Sequence, residues 1–195
     1  MVGGVILAAG RGTRMGGVPK ALLEIEKRKF LEIVTETIKK AHCETIVVVL
    51  APESREVLEL ARALGLTVAI NNAPDEGMFS SVQAGVKTLL NVNPEIKFLI
   101  IFPVDHPFVK AKTIEALTKA LEESPKHNAA IPLFEGRGGH PIVMRRELAK
   151  ILLDESPRIT LRNALEKSGV AALKISIADP AVLRNLNTPK DIESF

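Results

Sequence analysis

The chain has 195 residues, 46% apolar and 25% charged, a balance that excludes bulk disorder and a length that suits a single α/β domain spanning 1–195. Its 26 Lys and Arg against 23 Asp and Glu leave +3, which helps attract a phosphorylated small molecule but is too small to argue for nucleic acid. With no Trp or Tyr, the stacking platforms of single-strand binders are nearly absent.

One cysteine, Cys43, excludes an intrachain disulfide and a cysteine metal cluster. It lies between a helical pattern and a strand-like run, the setting of a buried thiol rather than a nucleophile. The N-terminal residues lack a basic leader, and no apolar run approaches the ~18 residues of a membrane span. The expected location is the cytoplasm, with no membrane partner.

In chain order, Gly4 to Ala8 is a continuous apolar run, as are Thr45 to Leu50 and Phe98 to Phe102. Continuous rather than alternating apolarity is what a strand covered on both faces requires. Leu66 to Ile70 predicts another strand. Helical spacing links Phe30, Val34, Ile38 and Ala41. It also links Val57, Ala61 and Leu64, with Pro52 expected in the first turn, then Val82, Val86 and Leu89, then Ile114, Leu117 and Leu121. Ala129 to Leu133 predicts a strand whose Pro132 places it at an edge or a strand end. Pro141 to Met144 predicts another strand. Short helices follow at Leu148 to Leu152 and Leu161 to Leu165, the second ended by Ser168-Gly169. Leu173, Ile175 and Ile177 alternate as a half-exposed strand. The alternation of strand and helix predicts a three-layer α/β/α fold on a mostly parallel, Rossmann-like sheet. Such sheets bind ligands at the carboxyl ends of their strands.

Ala8 to Lys20, after the first strand, holds four glycines, Arg11, Arg14 and Lys20. Glycines let backbone N–H groups wrap an anion, and Arg and Lys balance phosphate charge. It is not a Walker A loop, because Lys20 follows Pro19 and precedes Ala21. It is not the dinucleotide fingerprint either, because Gly10, Gly12 and Gly16 are spaced one residue too long. The plain alternative is a surface turn.

Asp105 stands in Phe102-Pro103-Val104-Asp105-His106-Pro107-Phe108, after the most apolar strand. Mg²⁺ takes one or two carboxylates plus substrate phosphates, which suits Asp105, as does a helix cap near Val109. Asn187, in Asn185-Leu186-Asn187-Thr188-Pro189-Lys190-Asp191, offers an amide oxygen to a metal or belongs to a plain turn. Asp191 is expected early in a helix, accepting from backbone N–H groups. Ser80 or Ser81 suits a helix N-cap. Asn71 and Asn72 upstream could supply amide contacts. His140 ends the glycine-rich run Gly136-Arg137-Gly138-Gly139.

Leu7-Ala8-Ala9-Gly10, Gly12-Thr13-Arg14-Met15 and Pro19-Lys20 together resemble the N-terminal signature of the MobA-like nucleotidyltransferase superfamily, which has a glycosyltransferase-A-like fold. The Asp-x-Pro pattern at Asp105, the Gly77-Met78-Phe79-Ser80-Ser81 run and the loop ending in His140 are most similar to its molybdenum cofactor cytidylyltransferase branch. The Gly12 to Lys20 stretch is more like the sugar-phosphate enzymes. The resemblance implies that Arg14 and Lys20 contact the triphosphate. It places Leu7, Ala8, Ala9, Gly10, Gly12 and Thr13 against the nucleotide, and Asn72, Ser80 and Ser81 near its base. Asp105 and Asn187 would hold Mg²⁺. His140 would orient the acceptor or tie down its loop. The implied activity is Mg²⁺-dependent transfer of a nucleotidyl group, CMP from CTP, to a phosphorylated acceptor such as a phosphorylated pterin, with pyrophosphate leaving. A sugar- or polyol-phosphate acceptor, a guanylyltransferase, and a non-catalytic nucleotide sensor are the alternatives. CTP is expected over GTP because Ala9 carries a methyl where the guanylyl branch has glycine.

Overall fold

The computed structural model describes residues 1–10, 17–187 and 191. Its strands are β1 (Val2–Leu7), β2 (Glu24–Ile25), β3 (Arg28–Lys29), β4 (Thr45–Leu50), β5 (Thr67–Ile70), β6 (Phe98–Pro103), β7 (Ala129–Phe134), β8 (Arg137–Gly138), β9 (Ile142–Arg145) and β10 (Ala172–Ser176). The α-helices are α1 (Phe30–Lys40), α2 (Arg55–Ala63), α3 (Met78–Val92), α4 (Ala111–Glu122), α5 (Arg146–Leu153) and α6 (Leu161–Lys167).

The central sheet runs β10-β7-β9-β6-β1-β4-β5, with β8 paired to β7. β1 pairs in parallel with β4 and β6, and β4 with β5, while β9 is antiparallel to both of its neighbours. Strand side chains alternate between two cores. Ile6, Val48 and Ile100 pack with α1, α2 and α4, and Val5, Val47 and Leu99 pack with α3, α5 and α6. The result is the expected three-layer α/β/α arrangement, and it explains why β1, β4 and β6 show no polar alternation. No described helix is long and apolar enough to cross a membrane.

From β1 the chain moves outward to β4 and β5, then α3 carries it back to β6 on the other side of β1. The reversal opens a crevice at the carboxyl ends of β1 and β6, where open α/β sheets place their ligands. α3 approaches closely at Gly85, where a Cβ would lie 2.3 Å from Val5 Cγ1 and 2.7 Å from Val49 Cγ2.

Two local expectations are corrected. Pro132 lies inside the sheet, between β10 and β9, rather than at an edge. β9 pairs with β7 only at Ala129 and Ala130, and β8 only from Leu133, so Pro132 falls in the gap between them. Its carbonyl still accepts from Gly139 N at 2.9 Å on that side, and the missing N–H falls where no strand needs it. α2 begins at Arg55, so Pro52 precedes the helix instead of opening its first turn.

Candidate active site

The end of β1 is held beyond the strand itself. Ala8 N donates to Val49 O at 3.0 Å, and Val104 N donates to Leu7 O at 3.1 Å. These bonds set Ala8 to Gly10 beside Val104 and Asp105. Between them lies a cleft of about 230 Å³, walled by Leu7, Ala8, Ala9, Gly10 and Lys20, by Pro103 to Asp105, and by Pro74, Gly77, Met78 and Ser81.

Lys20 opens a 3-10 turn, Lys20–Leu22, and its side chain reaches across the cleft. Its Nζ lies 2.7 Å from Asp105 Oδ2 and 2.5 Å from Asn187 Oδ1. Asn187 arrives from the far end of the chain. Leu186 N donates to Asp105 O at 2.9 Å, and Asp191 Oδ2 accepts from Asn187 N at 2.8 Å. Asp191 thus takes a backbone N–H, as expected of it. A hard carboxylate oxygen and a hard amide oxygen therefore converge on one cation, here an ammonium. That donor set fits a divalent ion that also binds substrate phosphates. Among the described residues, no group of three or more His, Cys, Asp or Glu could hold a metal.

The alternative role of Asp105 as a helix cap is not what the structure shows. α4 begins at Ala111 after the N-cap Lys110, and the carboxylate at that end is Asp179, which accepts from Lys110 N at 3.1 Å and Thr113 Oγ1 at 2.7 Å. Asp179 is buried and also accepts from Ala181 N. It pins the segment that passes behind the site. Ala181 O lies 3.4 Å from His106 Nδ1, and because a carbonyl only accepts, the proton belongs on that nitrogen. Val182 O accepts from His140 N at 2.9 Å.

His106 and His140 have ring centroids 5.4 Å apart. Burial holds the His106 imidazole below its ordinary range, against the smaller opposing pull of Asp105. Burial pushes His140 down to about 4. Both are neutral at pH 7. His140 Nδ1 is buried without a hydrogen-bond partner among the described residues. His140 lines a second cavity of about 660 Å³, with Ile131, Leu133, Leu161, Arg162 and Lys174. Met78 borders both cavities.

The structure thus gathers Leu7, Ala8, Ala9, Gly10, Lys20, Ser81 and Asp105 around one cleft, with Asn187 joined through Lys20. Gly12, Thr13 and Arg14 lie outside the described residues. Asn72 is exposed and away from the cleft wall, and Asn71 beside it points inward, donating to Ser80 Oγ at 2.8 Å and Ser81 Oγ at 2.9 Å. Ser80 is consumed by that contact and by donation to Ala73 O or Gly77 O, so it clamps the loop before α3. Neither serine is the N-cap, which is Gly77. Pro74, Gly77, Met78, Pro103 and Val104 also wall the cleft, beyond the residues expected there. Phe79 shares the buried stripe of Val82 and Val86, which turns Met78 outward, and that offset is readable from the helical period.

Residues 4–172 match the family model described as the MobA-like NTP transferase domain. The chain belongs to this family. It is 29% identical to a molybdenum cofactor guanylyltransferase of Pseudomonas syringae, over 95% of this chain and 88% of that protein. It is 31% identical to nicotine blue oxidoreductase of Paenarthrobacter nicotinovorans, over 73% and 70%. A solved nucleotidyl transferase from Methanothermobacter superposes with a TM-score of 0.81 at 22% identity, covering 100% of this chain and 95% of that one. This MobA-like nucleotidyltransferase therefore shares the fold of that solved structure.

Proposed function

We propose that the chain is a cytoplasmic, Mg²⁺-dependent guanylyltransferase that moves GMP from GTP to a phosphorylated acceptor of the molybdopterin type. An oxygen of the acceptor phosphate attacks the α-phosphorus, the bond to the bridging α,β-oxygen breaks, and pyrophosphate leaves with its electrons. A phosphate monoester is already anionic near neutral pH, so no side chain need remove a proton. The protein supplies position and charge. Lys20 offsets triphosphate charge, with Arg14 proposed beside it. The backbone of Leu7 to Gly10 and Ser81 frame the nucleoside. Asp105 and Asn187 would hold Mg²⁺, which when bound neutralises charge developing on the leaving phosphates. The second cavity, with His140 on its wall, receives the acceptor.

The observation that carries this reading is the convergence of Lys20, Asp105 and Asn187 at the carboxyl ends of β1 and β6. It includes Asn187, beyond the family match, which supports one working unit that extends past residue 172. The preference for GTP follows the guanylyltransferase relative, against the expectation of CTP drawn from Ala9. Ala9 does line the cleft, so a purine must be met there by a methyl. One such contact is worth ~1–3 kcal/mol, a preference and not a barrier.

The test is pyrophosphate release from each of the four NTPs, with Mg²⁺ and a panel of phosphorylated pterins and sugars. GTP with a pterin phosphate should lead. A clear win for CTP in direct competition would restore the cytidylyl reading. Consumption of no NTP, together with redox turnover of nicotine blue, would favour the chemistry named for the oxidoreductase relative.

A further inference from the structure

Lys20 is the one basic side chain among the described residues lining the nucleotide cleft, and it has two anionic demands on it. A triphosphate needs its charge, yet its Nζ sits 2.7 Å from Asp105 Oδ2 and 2.5 Å from Asn187 Oδ1. Those are the oxygens proposed to hold the divalent cation. We infer that Lys20 stands in the cation position between Asp105 and Asn187 until a triphosphate draws it away, so that the divalent ion enters with the nucleotide and not before it.

Charge supports this order. Lys20 and Asp105 neutralise each other, and Asn187 adds an oxygen without a charge, so the resting site has no net attraction for a divalent ion. A divalent ion arriving alone would also meet the ammonium at contact distance, where repulsion is strong in a partly dehydrated cleft. The Lys20 and Asp105 side chains are only 22% and 17% exposed. When a triphosphate lies along the loop after β1, its negative charge competes for the ammonium. A lysine carries its charge on a flexible four-carbon stem and can pivot within the cleft. Asp105 and Asn187 are then released as paired oxygen donors at the moment the phosphates can complete the coordination. Asn187 matters for the same reason. A carboxylate there would leave a net negative site even with Lys20 in place, and the gating would fail.

The inference rests on the metal reading above, and binding of Mn²⁺ to the full chain, followed by water-proton relaxation, separates the two. Without nucleotide, the wild type should bind Mn²⁺ weakly. Lys20→Met should bind it ~10-fold or more tightly, because a unit positive charge has left the site. Asn187→Asp, which keeps Lys20, should also tighten it. Adding Asp105→Asn to Lys20→Met should erase the gain. If Lys20→Met and Asn187→Asp, both folded by circular dichroism, bind Mn²⁺ no better than wild type, the inference is overturned. If the wild type then still forms a relaxation-enhancing complex with Mn²⁺ and a non-hydrolysable GTP analogue, the metal reading survives. If it forms none, both fall.

Discussion

Asp105 has cationic and neutral nitrogen on opposite oxygens, with Lys20 Nζ 2.7 Å from Oδ2 and His106 Nε2 3.8 Å from Oδ1. The second distance is too long for a hydrogen bond. Asp105→Asn keeps the shape and removes the charge. Turnover should fall at least ~10²-fold, since metal stabilisation of the leaving group is worth several kcal/mol, while the circular dichroism spectrum stays unchanged. Near-normal turnover would take Asp105 out of the chemistry. Cys43 gives the contrasting case. It is buried before β4, and burial pushes its thiol up to about 12. At pH 8 it is protonated and covered, so iodoacetamide should label it only as the chain unfolds. Cys43→Ser should leave the transfer rate within about twofold. Rapid labelling of the native protein with loss of turnover would reverse that assignment.

At the scale of elements, α3 is the part whose position most directly shapes the cleft. Gly77, Met78 and Ser81 line it from the first turn, and Gly85, two turns on, sets how close the helix lies to β1 and β4. Gly85→Ala would put a methyl 2.3 Å from Val5 Cγ1, forcing the helix outward. Overpacking of this kind costs ~1–3 kcal/mol, and the shifted first turn should raise KM for the nucleotide more than it lowers kcat. Urea denaturation and steady-state kinetics would show both, and an unchanged KM would mean that α3 does not frame the nucleotide. The elements that could be read directly were those with a period to read. β1, β4 and β6 are apolar throughout because both faces are covered, and the main helices carry clear stripes. β2, β3 and β8 are two residues each and have no period. Pro132 was misplaced because a local rule about missing donors cannot foresee that β9 stops pairing where β8 has not begun. In the site, Asp105 was legible from its place after a buried strand. The contact of Lys20 with Asn187 joins residues near opposite ends of the chain, and Asp179's grip on α4 is equally non-local. Asn71 is buried against Ser80 and Ser81 while Asn72 is exposed, a split between neighbours in the loop after β5 that no period in the sequence marks.

Across the whole molecule, the segment from Asp179 to Asn187 ties the last strand back to the site, and the two histidines lie under it. His106 meets Ala181 O, and His140 meets Val182 O through its backbone N–H. Gly139 permits this, since a Cβ there would fall 2.2 Å from Val182 O. Both imidazoles are held neutral by burial, which ties the stability of the fold to pH. The folded-state value of His140 is about 4, against 6.5 for an ordinary imidazole. A depressed value means that the unfolded chain takes up a proton that the native state refuses. The stability present above pH 6.5 is therefore lost as pH falls toward 4. At pH 5 the loss from His140 alone is about 2 kcal/mol, and His106 adds in the same direction. Urea midpoints at pH 7.5 and 5.0 measure it. The wild type should lose a large part of its stability between them, and His140→Gln, which cannot titrate, should lose distinctly less whatever its baseline. Equal losses in the two proteins would show that His140 takes up its proton as readily folded as unfolded, and that the segment above it leaves the ring in contact with water.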